Sequence, residues 1–359
     1  MLSSRASFAA LAALEAMFVI QLRAETTIDI GNIRSSAFRI DIPERWNHDL
    51  ILYLHGYTTA PVSFDRDRLD DVLQRFVDRG YAIAQPGFSA GGWAVAEGST
   101  ATLELEDYFT AHYGKPKRTY VAGMSLGGFL VMVLLEEHPD RFNGGLALCA
   151  PLGSADWFMA RRVFDTRIVF DFYFPGLLPS PVTPSSRGLE PSVGQALGDA
   201  LEHNPTGALA IRSFLGVKSN AEVAYLAVFF SGILDDVIRR SGGNPFDNSS
   251  TVYRIPGQPD LDRALNSGVK RFRGDARAQQ YLKSYFPATG VLQHPLVSVV
   301  TVYDPLIPDW LTNSYETLAE RAGSSRFFEQ LIVNKDGHCA FDGADVQSGF
   351  AHLIAHVEQ

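Results

Sequence analysis

The sequence predicts an α/β domain with a mostly parallel central sheet, helices on both faces and a large, mainly helical cap insertion. Three observations predict it. Runs of strand-formers alternate with amphipathic stretches from residue 49 to residue 151. Two of these runs, DLILYLHG (49–56) and GGLALCAP (144–151), are almost wholly apolar, as strands buried on both faces are. The alternation then stops after Pro151 and resumes at Leu296. With 359 residues, 46% of them hydrophobic and 20% charged, the chain is long enough to bury a large core.

Each element has its own signal. Residues 26–31 (TTIDIG) and 36–42 (SAFRIDI) alternate like two half-exposed strands. Residues 64–79 fit a helix with Leu69, Val72, Leu73 and Phe76 on one face, and Gly80 stops it. YAIAQPGF (81–88) is a strand and 101–112 a helix. KRTYVAG (117–123) is the next strand, and 126–137 a helix that ends before Pro139. The stretch 174–191 is rich in proline and serine and reads as a loop. Residues 221–240 read as a helix, and 242–258 as turns. PLVSVVTVYD (295–304) and SRFFEQLIVN (325–334) return to strand, and 343–358 is a terminal helix. The expected organisation is a catalytic domain over 25–155 and 291–359, interrupted by a cap over 156–290.

The net charge is −9 with acids and bases interspersed, so no basic stripe offers itself to nucleic acid. Residues 1–24 have the outline of a secretory signal peptide: Arg5, an apolar run from Phe8 to Leu22, and Ala24 as a small residue at a cleavage site. Glu15 inside the run and the bulk of Leu22 depart from that outline. The expected location is therefore secreted or periplasmic, with the cytoplasm as the alternative. No other stretch is apolar enough to span a bilayer. Cys149 and Cys339 are too few for a disulfide framework or a cysteine-based zinc site, and they read as two separate buried thiols.

The chemistry centres on Gly123-Met124-Ser125-Leu126-Gly127, a G-x-S-x-G with a strand before it and a helix after it. A sharp strand-to-helix turn leaves no room for side chains two residues either side of the serine, which Gly123 and Gly127 answer. Ser125 is then displayed at a helix N-terminus, as a nucleophile is. A serine hydroxyl needs a base at neutral pH. Of nine histidines, His338 lies in a glycine-flanked loop between the last strand and the last helix, and from there it can reach back over the sheet edge. The acid belongs at the C-terminal end of the preceding strand, where Asp304 stands. Asp309 is the second choice, and Asp336 is too close in sequence to His338 to orient its ring. The oxyanion hole is expected from the backbone N–H groups of Leu126 and Tyr57, the latter in His55-Gly56-Tyr57.

HGY (55–57), GMSLGG (123–128), YDPLIP (303–308) and GHCAF (337–341), in this order, resemble the α/β-hydrolase superfamily. Within it the chain resembles capped bacterial serine hydrolases that border on the carboxylesterases and the prolyl-oligopeptidase-like enzymes. The resemblance implies a Ser125–His338–Asp304 triad and no cofactor or metal, and it leaves the substrate open. The HGGG run of the hormone-sensitive-lipase type is absent, since Tyr57 stands where another glycine would be.

The expected function is hydrolysis of a small-molecule carboxylic ester through an acyl-enzyme. The alternatives are a peptidase of prolyl-oligopeptidase or aminopeptidase type, an acyltransferase and, last, a non-catalytic binding protein. Four weaker signals remain. His352 and His356 are spaced i,i+4, which suits a metal, but the sequence offers no third ligand. Asn248-Ser249-Ser250 matches a glycosylation acceptor. A bridge between Cys149 and Cys339 would tie down the His338 loop. The cap aromatics Trp157, Phe158, Phe170, Phe172, Tyr173, Phe174, Phe229 and Phe230 read as the cap's own core before they read as a substrate pocket.

Overall fold

β1 (Thr27–Ile33) and β2 (Ser36–Ile42) form an antiparallel hairpin at one edge of the sheet. They are followed by β3 (Asp49–Leu54), α1 (Asp71–Val77), β4 (Ala82–Pro86), α2 (Val95–Tyr113), β5 (Arg118–Met124), α3 (Leu126–Glu137) and β6 (Gly144–Leu148). After the cap come β7 (Leu296–Tyr303), α11 (Asp309–Arg321), β8 (Phe328–Asp336) and α12 (Gly343–Val357). The computed structural model describes residues 26–185, 190, 192–284 and 287–359, so the N-terminal leader reading lies outside the described residues.

All eight strands join one sheet in the order β1-β2-β4-β3-β5-β6-β7-β8. β2 pairs antiparallel with β4, and every pair from β4 onward is parallel. Strand alternation sorts the core into two layers. Leu50, Leu52, Leu54 and Val121 point to the side of α2 and α3, where they pack on Phe109, Phe129 and Leu130. Ile51, Ile83, Tyr120 and Ala122 point to the other side, against Leu73 and Phe76 of α1 and Phe350 and Leu353 of α12. Burial on both faces is why β3, β5 and β6 read as unbroken apolar runs.

The cap lies between β6 and β7. It comprises α4 (Ala155–Phe158), a π-helical turn (Met159–Phe164), α5 (Asp165–Tyr173), α6 (Val193–His203), α7 (Pro205–Leu215), α8 (Asn220–Ser241), α9 (Pro259–Gly268) and α10 (Ala276–Ser284). α8 starts in a capping box: Ser219 accepts from the Glu222 amide, while the Glu222 carboxylate accepts from the Ser219 amide. It ends at Gly242 in the left-handed conformation. Phe158, Phe170, Phe174 and Phe230 are fully buried core residues of the cap. Trp157, Phe172, Tyr173 and Phe229 are only partly buried.

Some boundaries differ from the sequence expectation. α1 starts at Asp71, capped by Asp70, because residues 64–70 make a turn-rich approach in place of a first helical turn. α2 starts at Val95, six residues earlier than expected, so Gly98 lies inside it. A Cβ on Gly98 would sit 2.6 Å from a Leu130 methyl, so the glycine serves close packing and does not break the helix. β8 runs on to Asp336, which brings its end to the site.

Among the described residues no helix is long and apolar enough to cross a membrane. Asn248 is fully buried and bonded to Tyr253, Lys270 and Phe272, so the acceptor sequence is not presented at the surface. His352 and His356 both face Glu329, at 2.9 and 3.4 Å, which links α12 to β8.

Candidate active site

The turn between β5 and α3 is built by exclusion. Ser125 has φ +55° and ψ −116°, a conformation that surrounding structure must enforce. Its amide donates to the carbonyl of Leu148 at 2.8 Å, which ties the turn to the end of β6. A Cβ on Gly127 would lie 2.1 Å from the Leu54 carbonyl oxygen, and one on Gly123 would lie 2.4 Å from the Gly127 backbone. A Cβ on Gly128 would meet Ala150 at 2.7 Å. These three glycines let α3 start directly against β3 and β6, and that raises the serine side chain above the sheet edge.

His338 stands over that hydroxyl. Its Nε2 is 3.0 Å from Ser125 Oγ, and its Nδ1 is 2.7 Å from Asp304 Oδ2. An ionised Asp304 can only accept, so Nδ1 carries the proton, and the Nε2 lone pair faces the serine O–H. The second carboxylate oxygen of Asp304 accepts from the amides of Leu306 at 2.8 Å and Ile307 at 3.0 Å. Asp304 is only 9% exposed, so these bonds hold it in one orientation. Asp309, the first residue of α11, instead accepts from the Trp310 amide, and Asp336 turns outward to pair with Lys218.

Leu126 is the first residue of α3, so its N–H has no intrahelical acceptor and lies at the positive end of the helix. Gly56 packs against the serine from the other side: a Cβ there would be 3.5 Å from Ser125 Cβ and 3.4 Å from the Met124 carbonyl oxygen. The backbone of Tyr57 therefore follows directly beside Ser125. The Tyr57 ring packs edge-on against Phe229 of α8, 5.3 Å between centroids. Burial, helped by Asp236, pushes its hydroxyl up to about 12, so it stays protonated.

No family model matches the chain. The chain is 21% identical to the o-phthalyl amidase of Xanthobacter agilis, over 92% of this chain and 87% of that protein. Among solved structures it is similar to Porphyromonas gingivalis dipeptidyl peptidase 4, with a TM-score of 0.50 at 11% identity, covering 94% of this chain and 35% of that one. It is also similar to Pyrococcus horikoshii acylaminoacyl peptidase, with a TM-score of 0.50 at 10% identity, covering 93% of this chain and 41% of that one. The chain thus spans well under half the length of either peptidase. At 10–11% identity the likeness to these structures is one of fold. The chain has the α/β-hydrolase fold.

On that fold the cap is fastened to the loop that carries Asp304 and to the segment after β4. Arg162, in the π-helical turn, is buried and donates to the carbonyls of Leu215 at 2.9 Å, Leu306 at 3.2 Å and Pro305. Burial draws its guanidinium down to about 10, and the Asp304 charge opposes that shift. At the start of α8, Glu222 accepts from the Tyr303 hydroxyl at 2.9 Å, and Lys218 lies over the Tyr303 ring at 3.9 Å. At its far end Asp236 accepts from the Trp93 amide at 2.7 Å, and Arg240 pairs with Glu97 and donates to the Gly91 carbonyl. None of these anchors was found from the sequence. Only the arginine pair Arg161-Arg162 in the stretch Met159–Phe164 was a signal, and the sequence does not say which of the two is buried.

The cysteines correct the reading as separate thiols. Cys149 and Cys339 form a disulfide with their Cα atoms 5.2 Å apart. Cys149 follows the residue that receives the Ser125 amide, and Cys339 follows His338. Both cysteines have positive φ, 46° and 55°, which turns their side chains toward each other across the sheet edge. The two sulfurs and a His338 nitrogen lie within 4.8 Å of one another. Bridged sulfurs are not thiolates, and both ring nitrogens of His338 have partners, so this group does not read as a metal site.

The bridge closes a loop across a sequence separation of 190 and fixes the chain next to His338. Reduction with a dithiol, or Cys339→Ser, is expected to lower the denaturation midpoint, at a cost of about 2–5 kcal/mol. It should also lower kcat by about 10- to 100-fold, through displacement of His338. Chemical denaturation and steady-state kinetics under conditions where the protein stays folded check this. Unchanged kcat in fully reduced, folded protein would show that the loop holds His338 without the bridge.

Proposed function

We infer that the protein is a serine hydrolase that cleaves a small-molecule carboxylic ester through an acyl-enzyme. The hydrogen-bonded line Asp304–His338–Ser125 carries this reading. Ser125 Oγ attacks the carbonyl carbon as His338 Nε2 takes its proton. The N–H groups of Tyr57 and Leu126 face the developing oxyanion. Asp304 holds the imidazole tautomer and stabilises the imidazolium. The same proton then goes to the leaving alcohol, and water activated by His338 releases the acid.

The acids near the cap face favour ester over aminopeptidase chemistry. An aminopeptidase needs a carboxylate free to take the substrate amine. Glu222 is engaged by Tyr303 and the Lys218 and Ser219 amides, and Asp236 by Arg240 and the Trp93 amide. A second reading, amide hydrolysis, is supported by the name of the Xanthobacter agilis relative, which spans nearly the whole chain. The disulfide beside His338 supports export to an oxidising compartment, as the leader-like N-terminus does.

The test compares wild type with Ser125→Ala on p-nitrophenyl esters of increasing acyl length and on acyl and aminoacyl p-nitroanilides. The ester reading expects Ser125-dependent ester turnover that exceeds anilide turnover at equal acyl group. Anilide cleavage of comparable efficiency would move the function to amide hydrolysis. Folded wild type that turns over neither would contradict both.

A further inference from the structure

We propose that α8 presents an aromatic shelf over Ser125 that takes a flat aryl group carried on the reacting carbonyl of the substrate. The proposal rests on the serine-hydrolase reading and names the acyl class for it.

At 100° per residue, Glu222, Tyr225, Phe229, Asp236 and Arg240 fall within an arc of about 60° on α8. This face is fastened at both ends. Glu222 holds Tyr303, the residue before Asp304, and Asp236 and Arg240 hold Gly91 and Trp93 beyond β4. The helix therefore crosses the sheet edge from the acid side of the site to the oxyanion side. The ring positions follow that path. Phe229 packs on Tyr57, the residue after Gly56, which adjoins Ser125. One turn earlier, Tyr225 is near-parallel to Phe229, with centroids 5.8 Å apart and planes at 6°. The Tyr225 hydroxyl is close enough to Asp304 to feel its charge, which adds to burial in raising its pKa.

Phe229 packs partly against the hydrophobic core, but that core does not account for Tyr225. Phe230, the neighbour of Phe229, is fully buried in it, whereas Tyr225 is 56% exposed. A large ring left open on the helix that links Tyr303 to Trp93 offers its face to a ligand. Gly232 lies on the same side of α8 as Tyr225, two turns along. It is exposed, and a Cβ there would meet nothing within 4 Å. A glycine inside a helix weakens it without a packing reason here, and it leaves open space at the edge of the shelf. Stacked or edge-on aromatic contact is geometrically selective for a planar ring over a saturated ring of similar size.

The experiment measures kcat/KM for p-nitrophenyl benzoate and p-nitrophenyl cyclohexanecarboxylate with wild type, Tyr225→Leu and Phe229→Leu. Taking the change in the benzoate-to-cyclohexanecarboxylate ratio removes the intrinsic reactivity of the two esters. The proposal expects that ratio to fall by about two- to twelvefold in each variant. Competitive inhibition by phenylboronic and cyclohexylboronic acids, which add to the serine with the ring in the acyl position, should show the same fall. Tyr225→Leu alters an exposed side chain, so its result stands even if Phe229→Leu unfolds. A ratio unchanged in Tyr225→Leu by both readouts, with turnover still dependent on Ser125, overturns the shelf and leaves the hydrolase reading intact. Loss of Ser125 dependence in wild type overturns the hydrolase reading itself.

Discussion

Ser125→Ala is expected to lower kcat by about 10⁶-fold and to leave the fold standing. The loss is large because Ser125, His338 and Asp304 act as one unit: without the hydroxyl, the imidazole has nothing to deprotonate. A residual rate of about 10³–10⁴ over water should persist, since the N–H groups of Tyr57 and Leu126 still face a bound carbonyl. The fold should survive because alanine keeps the Cβ that this positive-φ turn already accommodates. The amide bond to Leu148 is also untouched. The side chain gives up one hydrogen bond to a partly exposed histidine, worth about 1 kcal/mol. Kinetics paired with a denaturation curve check both halves of this expectation. A variant that keeps a tenth of wild-type turnover would remove Ser125 from the nucleophile role.

Asp304→Asn is expected to cost about 10⁴-fold in kcat, and the geometry gives the reason. Oδ1 accepts from the Leu306 and Ile307 amides, so an asparagine there must place its carbonyl oxygen toward them. Its NH₂ group then faces His338 Nδ1, where Asp304 Oδ2 now accepts at 2.7 Å. Two donors cannot share that bond, so the imidazole proton moves to Nε2, the nitrogen that must receive the serine proton. The same substitution removes the carboxylate whose charge acts on the buried Arg162, which among the described residues otherwise donates to backbone carbonyls. A lower denaturation midpoint should therefore accompany the lower rate. A kcat within tenfold of wild type would show that His338 keeps its working tautomer without Asp304.

Ser125, His338 and Asp304 were legible in the sequence because each follows from local rules. An apolar run ending in G-x-S-x-G fixes a strand, a turn and a helix within a dozen residues. The histidine and the acid then follow from their places after the last two strands. The sheet was legible for a similar reason, since strands buried on both faces leave unbroken apolar runs. The cap was legible only as a change in texture. Its anchors join Arg162 to Pro305, Glu222 to Tyr303 and Arg240 to Gly91, pairs that lie far apart in the chain and carry no periodicity. The Cys149–Cys339 bridge was legible only as the second reading, suggested by Cys339 beside His338 and Cys149 at a strand end on the same sheet edge. Two cysteines in a long chain are more often separate, and only the placement of Cys149 beside Leu148 and Cys339 beside His338 brings them together. Tyr225 was not legible, since nothing in the spacing of 221–240 separates an exposed ring on that helix from the buried ones.

The most direct test of the central claim is covalent labelling of the folded protein by a fluorophosphonate, read by intact mass and peptide mapping. An activated serine gives one adduct, on Ser125, formed within minutes and absent from Ser125→Ala and from unfolded protein. Folded wild type that stays unmodified, or that carries the adduct elsewhere, would contradict the assignment of Ser125 as a nucleophile activated by His338 and Asp304.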